Sequence, residues 1–137
     1  MTRLPDAIAA RILDGLPDAI LICDRMGIVR YWNGGAERVF GFRKAEIVGA
    51  SMDLIIPERL RARHWAGWTT AIGNGVTTYD HGQLLAVPAL HKEGRQISIE
   101  FSIQLLKDPN GQVEWVAALV RDVTERFKRD KALRSAG

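Results

Sequence analysis

The chain has 137 residues, 19 basic and 16 acidic side chains, and a single cysteine, Cys23. That length suits one domain with its own core, and an apolar share of 47% against 26% charged excludes general disorder. No stretch approaches the roughly 18 uninterrupted apolar residues of a membrane span, the N-terminus lacks the apolar centre of a secretory signal, and a lone cysteine cannot close an internal disulfide, so a cytoplasmic setting is expected.

Residues 6–16 place Ile8, Ile12 and Leu16 at i, i+4 and i+8, which predicts an amphipathic helix ending near Gly15 and Pro17. AILICD and IVRYWN read as two strands of a hairpin joined by Arg25, Met26 and Gly27. Asn33 is suited to cap a short helix, GGAERVFGF, with Ala36, Val39 and Phe40 on one face. KAEIVG predicts another helical turn closed by Gly49, and SMDLII leads into Pro57. A proline is tolerated in the first turn of a helix, so ERLRARHWAGWTTAIG is expected to be helical up to the stop at Gly73, Asn74 and Gly75.

Three strands are predicted next. The first, 83–90, contains Pro88 and so belongs at a sheet edge. The second, 96–106, alternates Ile97, Ile99, Phe101, Ile103 and Leu105 with polar residues, so one face is expected on the core and one in water. The third, VEWVAALVRD, precedes a charged terminal helix, TERFKRDKALRSAG. Strand pairs at both ends with short helices between them indicate an α+β fold built on an antiparallel sheet.

The charge excess of +3 is local. Residues 1–120 carry thirteen basic and thirteen acidic side chains, and the surplus lies wholly in the terminal helix. A nucleic-acid-binding domain usually spreads a basic stripe over its folded surface. Neither nucleic acid nor a membrane is therefore expected as a partner.

GLPDAILICDRMGIVRYWNGGAERVFGF, then EIVG, then the HKEG turn and the closing LVRDVTER resemble the PAS family over roughly residues 8–126. The resemblance implies a five-stranded antiparallel sheet, order 2-1-5-4-3, cupped around a pocket beneath the middle helices. It also implies an N-terminal flanking helix (1–17), a PAS core (18–122) and a linker helix (123–137) leading to an output domain. Asp122 and Thr124 match the signature that pins the last strand to that linker, and Glu125 and Arg126 are candidates for an ion pair there.

On the middle helix, Leu60, His64, Trp68 and Ala71/Ile72 share one stripe, with Arg59 and Arg63 on the other side. PERLRARHWAGW resembles the same helix in the oxygen-sensing heme PAS domains of rhizobial kinases and of a bacterial phosphodiesterase. There the proximal histidine follows a proline by seven residues, the spacing of Pro57 and His64. The resemblance implies heme b with His64 as its axial metal ligand. A core histidine bonded to a backbone carbonyl is the structural alternative. The distal positions depart from the family: Leu85 stands where the kinases carry arginine, and Gln83 where the phosphodiesterase carries methionine. Thr70 and Tyr79 replace the basic residues that hold the propionates in the kinases. The expected heme-facing set is Leu60, His64, Trp68, Leu85, Phe101 and Ile103, with Gln83 or Trp115 as donors to a bound gas. Trp32 and Trp65 are expected to fill the core or a dimer contact.

Flavin photochemistry in this family uses a cysteine in a helix whose counterpart here, ASMDLIIPERL, has none; Cys23 reads as an apolar filler of the first strand. His81 and His91 are expected in exposed loops, and no metal cluster or nucleophile–base pair is legible. The chain therefore reads as a cytoplasmic, non-enzymatic sensor domain, homodimeric, binding heme b and responding to a diatomic gas (O2, CO or NO) or to redox state. The alternatives are a PAS module with another small organic ligand or none, acting in dimerisation and relay, and a fragment of an enzyme such as a kinase or cyclase.

Overall fold

The computed structural model describes residues 3–77 and 86–136. Helix α1 (Asp6–Gly15) leads into the hairpin β1 (Ala19–Asp24) and β2 (Val29–Trp32), followed by α2 (Gly34–Phe40) and α3 (Lys44–Ile47). Two 3₁₀ turns, Met52–Ile55 and Glu58–Leu60, precede α4 (Arg61–Asn74); then come β3 (Val87–Leu90), β4 (Gln96–Lys107), β5 (Val113–Asp122) and α5 (Thr124–Ala136). The strands form one antiparallel sheet ordered β2-β1-β5-β4-β3, as the family resemblance implies.

Residues paired across an antiparallel ladder share a face. Ala19, Leu21 and Cys23 on β1 pair with Val120, Ala118 and Val116 on β5, and these pair in turn with Phe101, Ile103 and Leu105 on β4. That is the inner face, and α2 and α3 close it through the buried side chains Ala36, Phe40 and Ile47. The alternation expected for 96–106 holds: Ile97 and Ile99 are buried, while Ser102 and Gln104 are exposed. Pro88 lies on β3, which pairs with β4 alone, so its missing N–H leaves no ladder bond unmade.

Asn33 is the junction of this half of the fold. It is completely buried. Its Oδ1 accepts from Ile20 N at 2.8 Å and Ala36 N at 2.9 Å, and its Nδ2 donates to Leu13 O at 2.7 Å and Asp18 O at 3.1 Å. The expected helix cap is thus also a bond to α1 and to the start of β1. Beside it, a Cβ on Gly35 would fall 2.1 Å from Asp18 O, so only glycine lets α2 approach β1 this closely. Trp32, also fully buried, donates from its indole to Phe42 O at 2.9 Å and stacks on Phe40 as a core residue.

Two local features differ from expectation. Pro57 opens a 3₁₀ turn, and the α-helix begins only at Arg61. The strand expected from residue 83 is described from Val87 onward, and 83–85 lie outside the described residues. The helix stop is met by Gly75, which takes φ +72° and donates its N–H to Ala71 O. At the far corner, Thr124 accepts from Ser98 N at 3.1 Å through its hydroxyl and donates its own N–H to Asp122 Oδ1 at 2.9 Å. Arg126 pairs with Glu100 across to β4 rather than with Glu125.

Asn33→Ala removes the side-chain partner of four backbone groups at once, and leaving buried polar groups unpaired should lower unfolding free energy by about 3 kcal/mol. Urea denaturation followed by circular dichroism measures this; a loss below about 1 kcal/mol would show that water replaces the amide.

Candidate functional site

On the inner side of the sheet α2 packs on β1 and β5 and α3 on β2, while α4 rests through its tryptophans on the core and the β1–β2 turn. The two sets of helices differ in packing. None of the fourteen residues of α4 is fully buried, although Trp65, Trp68 and the preceding Leu60 pack against the core. An element with so little buried surface is the one that opens at least cost.

His64 lies on the less exposed side of α4 and is half-buried. Its Nδ1 is buried without a hydrogen-bond partner, the one such side-chain atom among the described residues. Burial holds the imidazole below its ordinary protonation range, with the carboxylate of Asp53 pulling weakly the other way. His64 is therefore a neutral imidazole near pH 7, the form that ligates metals. The core-histidine alternative required a backbone carbonyl on a ring nitrogen, and Nδ1 has none.

Two indoles lie beside the ring. Trp65 stands edge-on at 4.6 Å between centroids and 82° between planes, and Trp68 lies at 5.9 Å and 37°. Trp65 donates from Nε1 to Asp53 Oδ1 at 2.6 Å, and Trp68 donates to Arg25 O at 2.8 Å. Trp65, expected in the core or a dimer contact, packs against the core and also links His64 to the 3₁₀ turn before α4. Nothing local in the sequence carries that link, because Asp53 and Gly27 meet Trp65 only through the fold.

His64 and Trp68 are neighbours, 5.9 Å between ring centroids; Leu60, Trp68 and Phe101 each pack against the buried core, and Ile103 lies on the inner face of β4. Gln83, Leu85, Tyr79 and His81 lie outside the described residues. Thr70 is exposed and bonds its hydroxyl to Ala66 O at 3.1 Å.

Trp115 is a correction. It pairs with Leu106 and Asp24, three residues from inward-facing Ala118, so strand alternation puts it on the outer face of the sheet. From there it reaches no ligand beneath α4. His91 is a second correction: it is 8% exposed rather than in an exposed loop. Its ring sits against Gly41, where a Cβ would fall 2.5 Å away, and its Nδ1 accepts from Glu93 N at 3.1 Å. Cys23 is 1% exposed, 3.7 Å from Met52 Sδ. Burial pushes its thiol up to about 12, so a reactive thiolate is scarce there.

The described clefts lie elsewhere, beside Ile8, Arg11 and Ile12 on α1 and at the corner of β4, β5 and α5. No group of three His, Cys, Asp or Glu side chains able to hold a metal ion occurs among the described residues. A single neutral imidazole with an orphaned nitrogen, set among the aromatic rings of Trp65 and Trp68, fits a prosthetic group that needs one protein ligand beside an apolar wall. It does not fit an all-protein metal cage.

The profile of the PAS fold matches residues 13–128. The chain belongs to the PAS family, and the domain is of the sensory class that this family defines. It is 30% identical over 117 residues to sensor protein FixL of Bradyrhizobium diazoefficiens, covering 83% of this chain and 22% of that protein. It is 27% identical over 129 residues to a protein of Azorhizobium caulinodans, covering 93% and 17% respectively. The chain thus spans less than a quarter of the length of these relatives. Among solved structures it resembles a PAS domain from Colwellia psychrerythraea, with TM-score 0.74, 23% identity and coverage of 87% of this chain and 97% of that one. It also resembles an RNA-binding light-oxygen-voltage receptor, with TM-score 0.77, 23% identity and coverage of 99% and 39%. At such identities the structural likeness concerns the fold alone.

The orphaned imidazole has a measurable consequence. As pH falls below the ordinary histidine value of 6.5, the unfolded chain takes up a proton that folded His64 refuses. Stability contributed by His64 is therefore present above that value and lost as pH falls through it. Thermal unfolding should show a larger drop between about pH 8 and about pH 5 for the wild type than for His64→Phe. Equal drops would mean that His64 is as easily protonated when folded.

Proposed function

We propose that this PAS domain senses a diatomic gas or redox state through heme b held by His64. The observation that carries the reading is the buried, partnerless Nδ1 on a neutral imidazole, borne by α4, which buries no residue completely. A polar atom left unpaired in the interior costs about 1–3 kcal/mol, which the chain retains at this one described position. The motif around it, Pro57 to His64, resembles the heme-binding helix of rhizobial oxygen sensors, and a rhizobial sensor protein is among the relatives.

His64 supplies the single protein ligand, and Leu60, Phe101 and Ile103 exclude water from the group's face. Trp68, on the same stripe, gives it an aromatic edge. Bound heme would supply an iron centre for O2, CO or NO. The N-terminal segment 1–17 acts as a flanking helix, 18–122 as the sensor core and 123–137 as the linker to an output domain. Exposed Ile8 and Ile12 on α1, and Phe127 and Leu133 on α5, give a parallel homodimer its contacts at the domain ends. Occupancy of the pocket then biases how the two α5 helices pack. The setting is the cytoplasm.

The test is the visible spectrum of the purified chain before and after reconstitution with hemin. A Soret band with stoichiometric hemin uptake, reduced at least tenfold in affinity in His64→Ala, is the expected result. A wild-type chain that stays colourless overturns heme and favours another small ligand, or none.

A further inference from the structure

We propose that Trp65, seated on Gly27 and held by Asp53, is the positioning residue for the His64 imidazole. The inference rests on the reading of His64 as a ligand, and it concerns how that ligand is aimed. A ligating histidine usually has its ring orientation set by a hydrogen bond from the other nitrogen to a carbonyl or carboxylate. His64 makes no such bond from its ring to a described residue. What defines the ring plane instead is packing. Trp65 meets it edge-on at 4.6 Å and 82°, a favoured aromatic geometry worth about 0.5–1.5 kcal/mol.

A ring positions its neighbour only if it is itself immobile, and Trp65 is fixed at both ends. Its indole nitrogen donates to Asp53 Oδ1 at 2.6 Å. Its six-membered ring lies on Gly27 in the β1–β2 turn, where a Cβ would fall 2.2 Å from Cη2 and 2.4 Å from Cζ3. Gly27 also has φ +79°, so the turn requires glycine for its backbone, and the absent side chain makes the seat. Trp68 lies beside both rings, 5.9 Å from His64 and 5.4 Å from Trp65, and is bonded to Arg25 O in the same turn.

His64 is thus aimed by two indoles that both rest on one hairpin turn about forty residues upstream in sequence, with Asp53 holding Trp65 from the 3₁₀ turn before α4. In return, a displacement of the imidazole presses Trp65 onto Gly27, so the β1–β2 turn feels the occupant of His64 directly. This exit for the signal lies at the end of β1 opposite Ala19, where the chain arrives from α1.

The test uses the full chain with labelled histidine and compares wild type, Gly27→Ala, Trp65→Leu and Trp65→Phe, each checked for folding by circular dichroism. Without hemin, side-chain couplings and contacts to the indoles report the His64 rotamer by NMR. A single rotamer is expected in the wild type, averaging in Gly27→Ala and Trp65→Leu, and partial recovery in Trp65→Phe, which keeps a ring on Gly27. With hemin, the first two variants should bind roughly tenfold more weakly, and Trp65→Phe less so. A His64 rotamer unchanged in folded Gly27→Ala and Trp65→Leu overturns the positioning role, whatever hemin does. A wild type that binds no hemin, with the rotamer still released in these variants, overturns the heme reading and leaves the positioning role standing.

Discussion

Four hydrogen bonds made by one buried amide hold this fold in register. Asn33 joins the end of α1, the first residues of β1 and the first turn of α2, and each bond satisfies a backbone group that would otherwise be unpaired next to a helix end. Gly35 lets the junction close by omitting a side chain where Asp18 O must sit. With α2 locked onto β1, the inner face of the sheet has a fixed roof over Trp32, Phe40 and Ile47. The rest of the chain has to complete that face with what remains.

What remains is α4, and it completes the face loosely. Its polar bonds to the body include two indole N–H groups, to Asp53 and to the Arg25 carbonyl, and the Arg61 guanidinium to Ile56 O, and it drives no fully buried residue into the core. A domain with one rigid roof and one loosely held roof has a built-in difference in local stability, and the elements that admit ligands are drawn from the weaker side. His64 sits on that side with its nitrogen unpaired. The strong half fixes the sheet against which any movement of α4 is read out, and the Asp122–Thr124 corner ties that sheet to α5.

The sheet was legible because its signals are local and periodic. Alternation in 96–105 gave β4 its face, Pro88 gave β3 its edge, and Asn33 before two glycines gave α2 its cap. The stripe of Leu60, His64 and Trp68 was equally readable from helical spacing. Trp115 was misplaced because VEWVAALVRD is nearly continuous in apolar residues and carries no alternation; its face is set by pairing with Asp24 and Leu106, known only once the strands are assembled. His91 was misplaced because its burial depends on Gly41, a backbone position fifty residues away with no side chain to intervene. The seat of Trp65 on Gly27 was hidden for the same kind of reason. Contacts made through an absent Cβ leave only a glycine in the sequence, and glycines have many causes.

The account stands or falls on whether the imidazole of His64 is the protein's bond to iron. Resonance Raman spectroscopy of the hemin-reconstituted, chemically reduced chain reads that bond directly, through the iron–histidine stretching mode. The account predicts this mode in the wild type, shifted when the histidine nitrogens carry ¹⁵N, and lost in His64→Ala with free imidazole restoring it. An iron–histidine mode that persists unchanged in His64→Ala would contradict it and place the ligand elsewhere in the chain.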